Sequence, residues 1–337
     1  MPNFIQRTLN PTWYHGHTQK PPFFEGWYYK IISADQSRRY AIIPGIFLSD
    51  DPNTQHAFVQ VFDGVSGRAT YHRYPSDQFH AAPDKFDIHI GANHFDNNGF
   101  TLNIADDQRH VRADVSFNGQ VPYPVSIASP GIMGPFAWLP FMECYHGIVS
   151  MDHGMAGSLM DDNDSIDFTG GRGYIEKDWG KSFPAGWVWM QTNHFDTLGS
   201  CLSASIAVTP MLGRWFPGFI GAIWHQGELY RFTTYTGATV EKLDVSDDHV
   251  FWSMKSGAHR LEIYATRADA SLLPGPDRVA MDKRVPETLK ASIQVCLTPL
   301  AGGKPLLDST GECAGLEVAG DIERLLKAVN KQRSYSA

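Results

Sequence analysis

The stretch Gly173-Tyr174-Ile175-Glu176-Lys177-Asp178-Trp179-Gly180 sets three charged residues between two aromatic ones. Rings that keep water away raise a carboxyl pKa, whereas an adjacent cation lowers it, so Glu176 and Asp178 either pair with Lys177 or stay protonated. A neutral carboxylic acid is a competent proton donor. An ion-paired surface turn would have the same composition. Two further acids have similar company. Glu25 lies inside Phe23-Phe24-Glu25-Gly26-Trp27-Tyr28-Tyr29-Lys30, where period-two alternation would point Glu25, Trp27 and Tyr29 the same way. Glu143 sits in Phe141-Met142-Glu143-Cys144-Tyr145-His146, with His146 near enough in sequence to assist it or the carboxyl to serve as a structural hydrogen-bonding group.

Downstream, a strand over Trp187-Val188-Trp189-Met190-Gln191-Thr192-Asn193-His194-Phe195 would align Trp187, Trp189, Gln191 and Asn193. Indoles beside amide groups suit a pocket for an apolar ligand with a polar head, and they equally suit a core strand whose amides bond to backbone. Other chemistries fail on spacing. Gly180-Lys181-Ser182 lacks the upstream glycine of a phosphate loop, and Gly171-Arg172-Gly173 lacks the third glycine of a dinucleotide fingerprint. No nucleophile elbow occurs, and the 14 histidines form no H-E-x-x-H helix motif. His89 and His94 are close in sequence without a matching ligand set. Neither a metal nor an organic cofactor is expected.

The elements that must position these groups are strands. Tyr40 to Leu48, His56 to Phe62, Phe86 to Ile90, Phe100 to Ile104 and Val111 to Phe117 are short runs broken by turn residues. In Val111-Arg112-Ala113-Asp114-Val115-Ser116-Phe117 apolar and polar residues alternate up to an Asn118-Gly119 turn signal. Alternation returns around Leu261-Ile263-Ala265 and from Leu289 to Leu297. Helical spacing is confined to Ile322, Leu325, Leu326 and Val329, behind a capping Asp321. Prolines 122, 124, 130, 135 and 140 mark a connector or lid.

Glu25-Gly26-Trp27-Tyr28-Tyr29 is echoed by Ala185-Gly186-Trp187-Val188-Trp189, each opening a barrel-sized run of strands. The expected fold is all-β: two lipocalin-like antiparallel β-barrels packed together, spanning 1–168 and 169–337, with a short C-terminal helix.

At 337 residues with 42% hydrophobic content the chain can bury a large core. A net charge of −8 gives no footprint for a polyanion, so nucleic acid is not an expected partner. No apolar run is long enough to span a membrane as a helix, and no secretory signal precedes residue 20, so a cytoplasmic location is expected. Cys144, Cys201, Cys296 and Cys313 are too dispersed to indicate a disulfide framework. Composition leaves the oligomeric state open.

Taken together, Phe23-Phe24-Glu25-Gly26-Trp27-Tyr28, then Phe141-x-Glu143, then Glu176-Lys177-Asp178-Trp179-Gly180-x-x-Phe183-Pro184-x-x-Trp187-x-Trp189-x-Gln191-x-Asn193, resemble the tocopherol cyclase family. The resemblance implies two lipocalin-like barrels, distantly related to bacterial carotenoid hydratases, and cofactor-free closure of a prenylated hydroquinone to a chromanol ring. Glu25, Glu176, Asp178 or Glu143 would supply the proton. Trp27, Tyr29, Trp179, Trp187 and Trp189 would wall the pocket and stabilise a carbocation, with His146, Lys177, Gln191 and Asn193 as polar contacts. Plant members are implied to carry asparagine in place of Asp178 and Pro-His-Trp in place of Cys144-Tyr145-His146. The expected function is acid-catalysed cyclisation, isomerisation or hydration of a hydrophobic small molecule. The alternatives are a non-catalytic carrier and a purely structural protein.

Overall fold

The structure, a computed structural model, describes residues 1–211 and 214–336. It is built almost wholly from antiparallel strands that divide into two compact units, Met1–Phe183 with Leu273–Arg284, and Pro184–Leu272 with Val285–Ala337. In chain order the first sheet holds β1 (Phe23–Ile32), β2 (Arg39–Leu48), β3 (His56–Asp63), β4 (Ala69–Tyr74), β5 (Phe79–Ala81) and β6 (Asp87–Ile90). It continues with β7 (Asn93–Asp96), β8 (Gly99–Ala105), β9 (His110–Asn118), β10 (Cys144–Asp161), β11 (Asp164–Asp167) and β12 (Arg172–Gly180). The second sheet holds β13 (Gly186–Thr192), β14 (His194–Phe195), β15 (Cys201–Met211), β16 (Arg214–His225), β17 (Glu228–Arg231) and β18 (Thr239–Val245). Its remaining strands are β19 (His249–Ser256), β20 (His259–Thr266), β21 (Ser271–Gly275), β22 (Lys283–Pro299) and β23 (Leu307–Gly320).

The two sheets wind alike. The first runs β4-β3-β2-β1-β12-β10-β9-β8-β7-β6-β5, with β11 beside β10; the second runs β17-β16-β15-β13-β23-β22-β20-β19-β18. In each, the Gly-Trp strand starts an outward meander and later pairs with the last long strand. The sequence echo thus marks equivalent strands, β1 and β13. Arg172–Gly180, which falls in the second half by sequence, belongs to the first sheet because β12 is paired on both sides, by β1 and β10.

Alternation explains the strands. Along β9, Val111, Val115 and Phe117 are buried while Arg112, Asp114 and Ser116 are exposed. Along β22, Leu289, Ala291, Ile293, Val295 and Leu297 all face inward. One cluster joins Val59 and Val61 of β3 to Ile88 and Ile90 of β6, so the first sheet curls around a filled core. Among the described residues no ladder joins β4 to β5, or β17 to β18, so neither curl is hydrogen-bonded shut.

Two short elements flank the sheets. Helix α1 (Phe4–Thr8), held by an Asn3–Gln6 capping box, is too brief to leave a periodic signal. Helix α2 (Ile322–Ser336) starts where Asp321 Oδ1 accepts the Arg324 N–H at 2.9 Å, and it buries Leu325 and Val329 in the second unit's core. Between β9 and β10 the proline-rich stretch holds a single turn of 3₁₀ helix, Gly134–Trp138. No helix among the described residues is long and apolar enough to cross a membrane.

Candidate functional site

Three neighbouring strands, β1, β12 and β10, carry most of the acids singled out above. Their register pairs Glu25 with Trp179, Trp27 with Lys177 and Tyr28 with Glu176 on one side of β12, and His146 with Asp178 on the other. Cross-strand partners share a face and neighbours in sequence do not. Glu25, Trp27, Tyr29, Lys177 and Trp179 therefore face the core of the first unit. Glu176, Asp178 and His146 share the opposite face with Tyr28 and Tyr174.

On the core face, Glu25 and Lys177 form an ion pair with no solvent exposure at either side chain. The Lys177 ammonium also donates to Trp13 O at 2.6 Å and His15 Nδ1 at 3.2 Å, and it lies 4.8 and 4.7 Å from the Trp27 and Trp179 rings. The backbone N–H of His15 donates to Glu25 Oε2 at 2.8 Å. Burial works to raise the Glu25 pKa, but Lys177 and His15 outweigh it and hold the carboxyl below its ordinary value. Burial draws Lys177 down, with Glu25 opposing. His15 and Tyr145 sandwich the Trp179 indole at 4.4 and 5.3 Å, nearly parallel. The first unit thereby fixes its indoles around a saturated ion pair. Tyr29 is packed among Phe86, Phe95, Phe100 and Phe117, and its hydroxyl donates to Asp96 O at 3.2 Å.

The opposite face holds a second, separate group of charged side chains. His146 Nδ1 lies 2.9 Å from Asp178 Oδ1, and its Nε2 stands 3.5 Å from Glu176 Oε2. Tyr174 Oη donates to the same Glu176 oxygen at 2.6 Å. Burial alone would lower the His146 pKa, but Glu176 and then Asp178 raise it to about 9, so the ring is an imidazolium at neutral pH. Its Nε2 is buried and makes no hydrogen bond among the described residues. Glu176 is 4% exposed, whereas the Asp178 side chain is 28% exposed and reaches solvent. The donor atoms of His146, Glu176 and Asp178 lie within 4.8 Å of one another. In the absence of a metal, the carboxylates of Glu176 and Asp178 hold the His146 ring by ion pairing.

The other sequence-selected residues lie elsewhere. Glu143 Oε1 accepts from Arg278 at 2.7 and 3.0 Å and from Ser182 Oγ at 3.3 Å, away from His146. In the second unit, Trp187, Trp189 and Gln191 lie on the face of β13 opposite the core residues Val188 and Met190. Trp187 Nε1 donates to Glu317 Oε2 at 2.6 Å. Gln191 Nε2 contacts Cys201 Sγ at 3.8 Å, while its buried Oε1 has no hydrogen-bond partner among the described residues. Asn193 falls in the break between β13 and β14 and contacts His194 Nδ1 at 3.0 Å.

Two residues were missed. Tyr174 precedes Glu176 by two, and period-two alternation alone places it on that acid's face. His15 lies in a loop, where nothing in the sequence signals its contact with Glu25.

The profile of the family described as Tocopherol cyclase-like matches residues 92–320, more than half of the chain. A protein described as "Probable tocopherol cyclase, chloroplastic" from Oryza sativa subsp. japonica is 29% identical over 208 residues, which cover 56% of this chain and 42% of the relative. "Tocopherol cyclase, chloroplastic" from Zea mays is 28% identical over 204 residues, covering 56% and 41%. The chain thus matches less than half the length of these relatives. In fold it is similar to CghA bound to Sch210972, with TM-score 0.56, 12% identity and 89% of each chain covered. It is also similar to an AttH-type protein from Nitrosomonas europaea, with TM-score 0.54, 15% identity, and 87% and 92% covered.

Proposed function

Since the chain belongs to the tocopherol cyclase-like family, we propose that it is a cofactor-free acid catalyst that protonates an alkene of a hydrophobic substrate and closes a ring, or adds water, at the resulting cation. The observation that carries this reading is the buried His146–Glu176 ion pair at 3.5 Å, whose Nε2 makes no hydrogen bond among the described residues. A buried donor left without a partner is costly unless a ligand uses it.

The proton held between His146 and Glu176 is transferred to one alkene carbon, leaving a carbocation at the other. A substrate hydroxyl oxygen then forms the C–O bond, and its proton returns to the His146–Glu176 pair. The net reaction is an isomerisation. If a water oxygen attacks instead, the same steps give hydration, so exclusion of water selects the product. Tyr174 fixes the Glu176 carboxyl, and the partly exposed Asp178 holds the imidazole by its other nitrogen. Glu25 we assign to anchoring, because its carboxyl is held ionised by Lys177, and Glu143 likewise to its Arg278 pair. Trp187, Trp189, Gln191 and Asn193 are proposed as substrate contacts of the second unit. A cytoplasmic location suits the four free cysteines, and the charge of −8 argues against a nucleic-acid partner.

Turnover of prenylated hydroquinones in D₂O tests the reading. The wild type is expected to give cyclised or hydrated product with one deuterium on carbon, and Glu176→Gln to lose at least about a hundredfold in rate. Tight binding with no turnover in any variant, the wild type included, would instead identify a carrier.

A further inference from the structure

On the exposed face of the β6–β7 hairpin, well separated in the sheet order from β1, β12 and β10, the ladder converts a sequence feature into a site. His89 of β6 pairs with His94 of β7, and their rings stack at 4.3 Å and 15°. Asp87 is two residues before His89, so it shares that face. Its Oδ1 lies 3.3 Å from His89 Nε2 and 3.1 Å from His94 Nε2. All three donor atoms fall within 4.8 Å of one another. Linear spacing left His89 and His94 without a third ligand; the turn between β6 and β7 sets His94 beside His89, and Asp87 on β6 then reaches both rings.

We propose that Asp87, His89 and His94 bind a divalent late transition-metal ion of the zinc or nickel type. Bonds of about 2.0–2.1 Å in a tetrahedral site put neighbouring donors about 3.3 Å apart. The observed 3.1 and 3.3 Å match two such edges, and a turn of the stacked rings about their side-chain bonds would aim both nitrogen lone pairs at one ion. Two imidazoles with one carboxylate select zinc, nickel or copper over magnesium or calcium, which prefer all-oxygen sets. Lys85 Nζ contacts Asp87 Oδ2 at 2.5 Å, which orients the carboxylate and leaves Oδ1 turned to both rings. The His89 and His94 side chains are 53% and 34% exposed, so an ion enters from solvent and keeps water in its remaining position. His80 of β5 stands opposite His89, adding a third imidazole to the same row. A bound ion would staple the three-strand end of the sheet, where β5 and β6 are only three and four residues long.

Isothermal titration of the intact chain with zinc chloride in a non-chelating buffer tests the site, with magnesium as the control ion. The expected result is one zinc per chain and no magnesium binding. His89→Ala and His94→Ala are each expected to weaken zinc binding by at least about tenfold, since a lost ligand costs no less than a lost outer partner. His110→Ala, an exposed histidine on β9, and His146→Gln should leave the affinity unchanged. The proposal is overturned if the wild type takes up no zinc, if the His89 and His94 variants bind as well as the wild type, or if His146→Gln is the variant that loses the ion. Matching thermal melts of the metal-free proteins show that the comparison is between folded chains.

Discussion

At the level of single residues, His146 determines how the proposed site responds to pH. Its pKa is raised from 6.5 to about 9, so the folded state holds the proton more tightly than the unfolded chain. The stabilisation is fully present below about pH 6.5 and is lost as pH rises through 9. The wild type is therefore expected to lose on the order of 3 kcal/mol of unfolding free energy across that interval, measured by urea titration at several pH values. His146→Gln should flatten this dependence. A slope unchanged in the variant would mean that another group carries the proton. Sequence could supply the actors here and only part of the grouping. Glu176 and Asp178 are two apart and so share a face by alternation, but the partner His146 comes from a strand whose register cannot be read from either segment alone. Glu25 looked equivalent to Glu176 because both sit among aromatic residues; one residue of register puts them on opposite sides of the sheet.

At the level of elements, the β1–β12 ladder is fastened by a charge pair that neither strand could bury alone. Removing one member leaves an uncompensated charge in the core, so Lys177→Met should cost about 3–5 kcal/mol in a denaturation experiment. The double change Glu25→Gln with Lys177→Met should recover a substantial part of that loss. If it recovers none, the aromatic packing around the ammonium rather than charge balance is what matters. On β23, Gly315 faces Trp189 of β13, and a Cβ there would come 2.7 Å from the indole. Gly315→Ala should destabilise the second unit by about 1–3 kcal/mol through overpacking, and Trp189→Leu in the same chain should relieve it. The strands themselves were readable because alternation survives wherever one face meets the core, as in β9 and β22. Helix α2 was readable from its cap and its spacing. Helix α1, five residues long, leaves too little pattern to detect.

At the level of the whole molecule, the repeated Gly-Trp strand correctly signals two sheets of like winding. What it does not signal is that the first unit is discontinuous in sequence. Leu273–Arg284 returns to it, with Pro274 O accepting from Gln60 at 3.0 Å, Met281 packing with Phe24, Phe47 and Phe58, and Arg278 holding Glu143. Residues 1–183 expressed alone should therefore fail to give a cooperative thermal transition, with the aromatic cluster uncovered and Glu143 unpaired. A sharp melt from that fragment would show the returning segment to be dispensable. The same excursion sets a schedule in the cell. At about 5–20 residues per second, the ribosome needs several seconds or more to deliver the roughly hundred residues between Phe183 and Arg284. During that delay a nearly finished domain waits with an oily patch bare, a window in which a chaperone can act and after which the last tie closes from downstream.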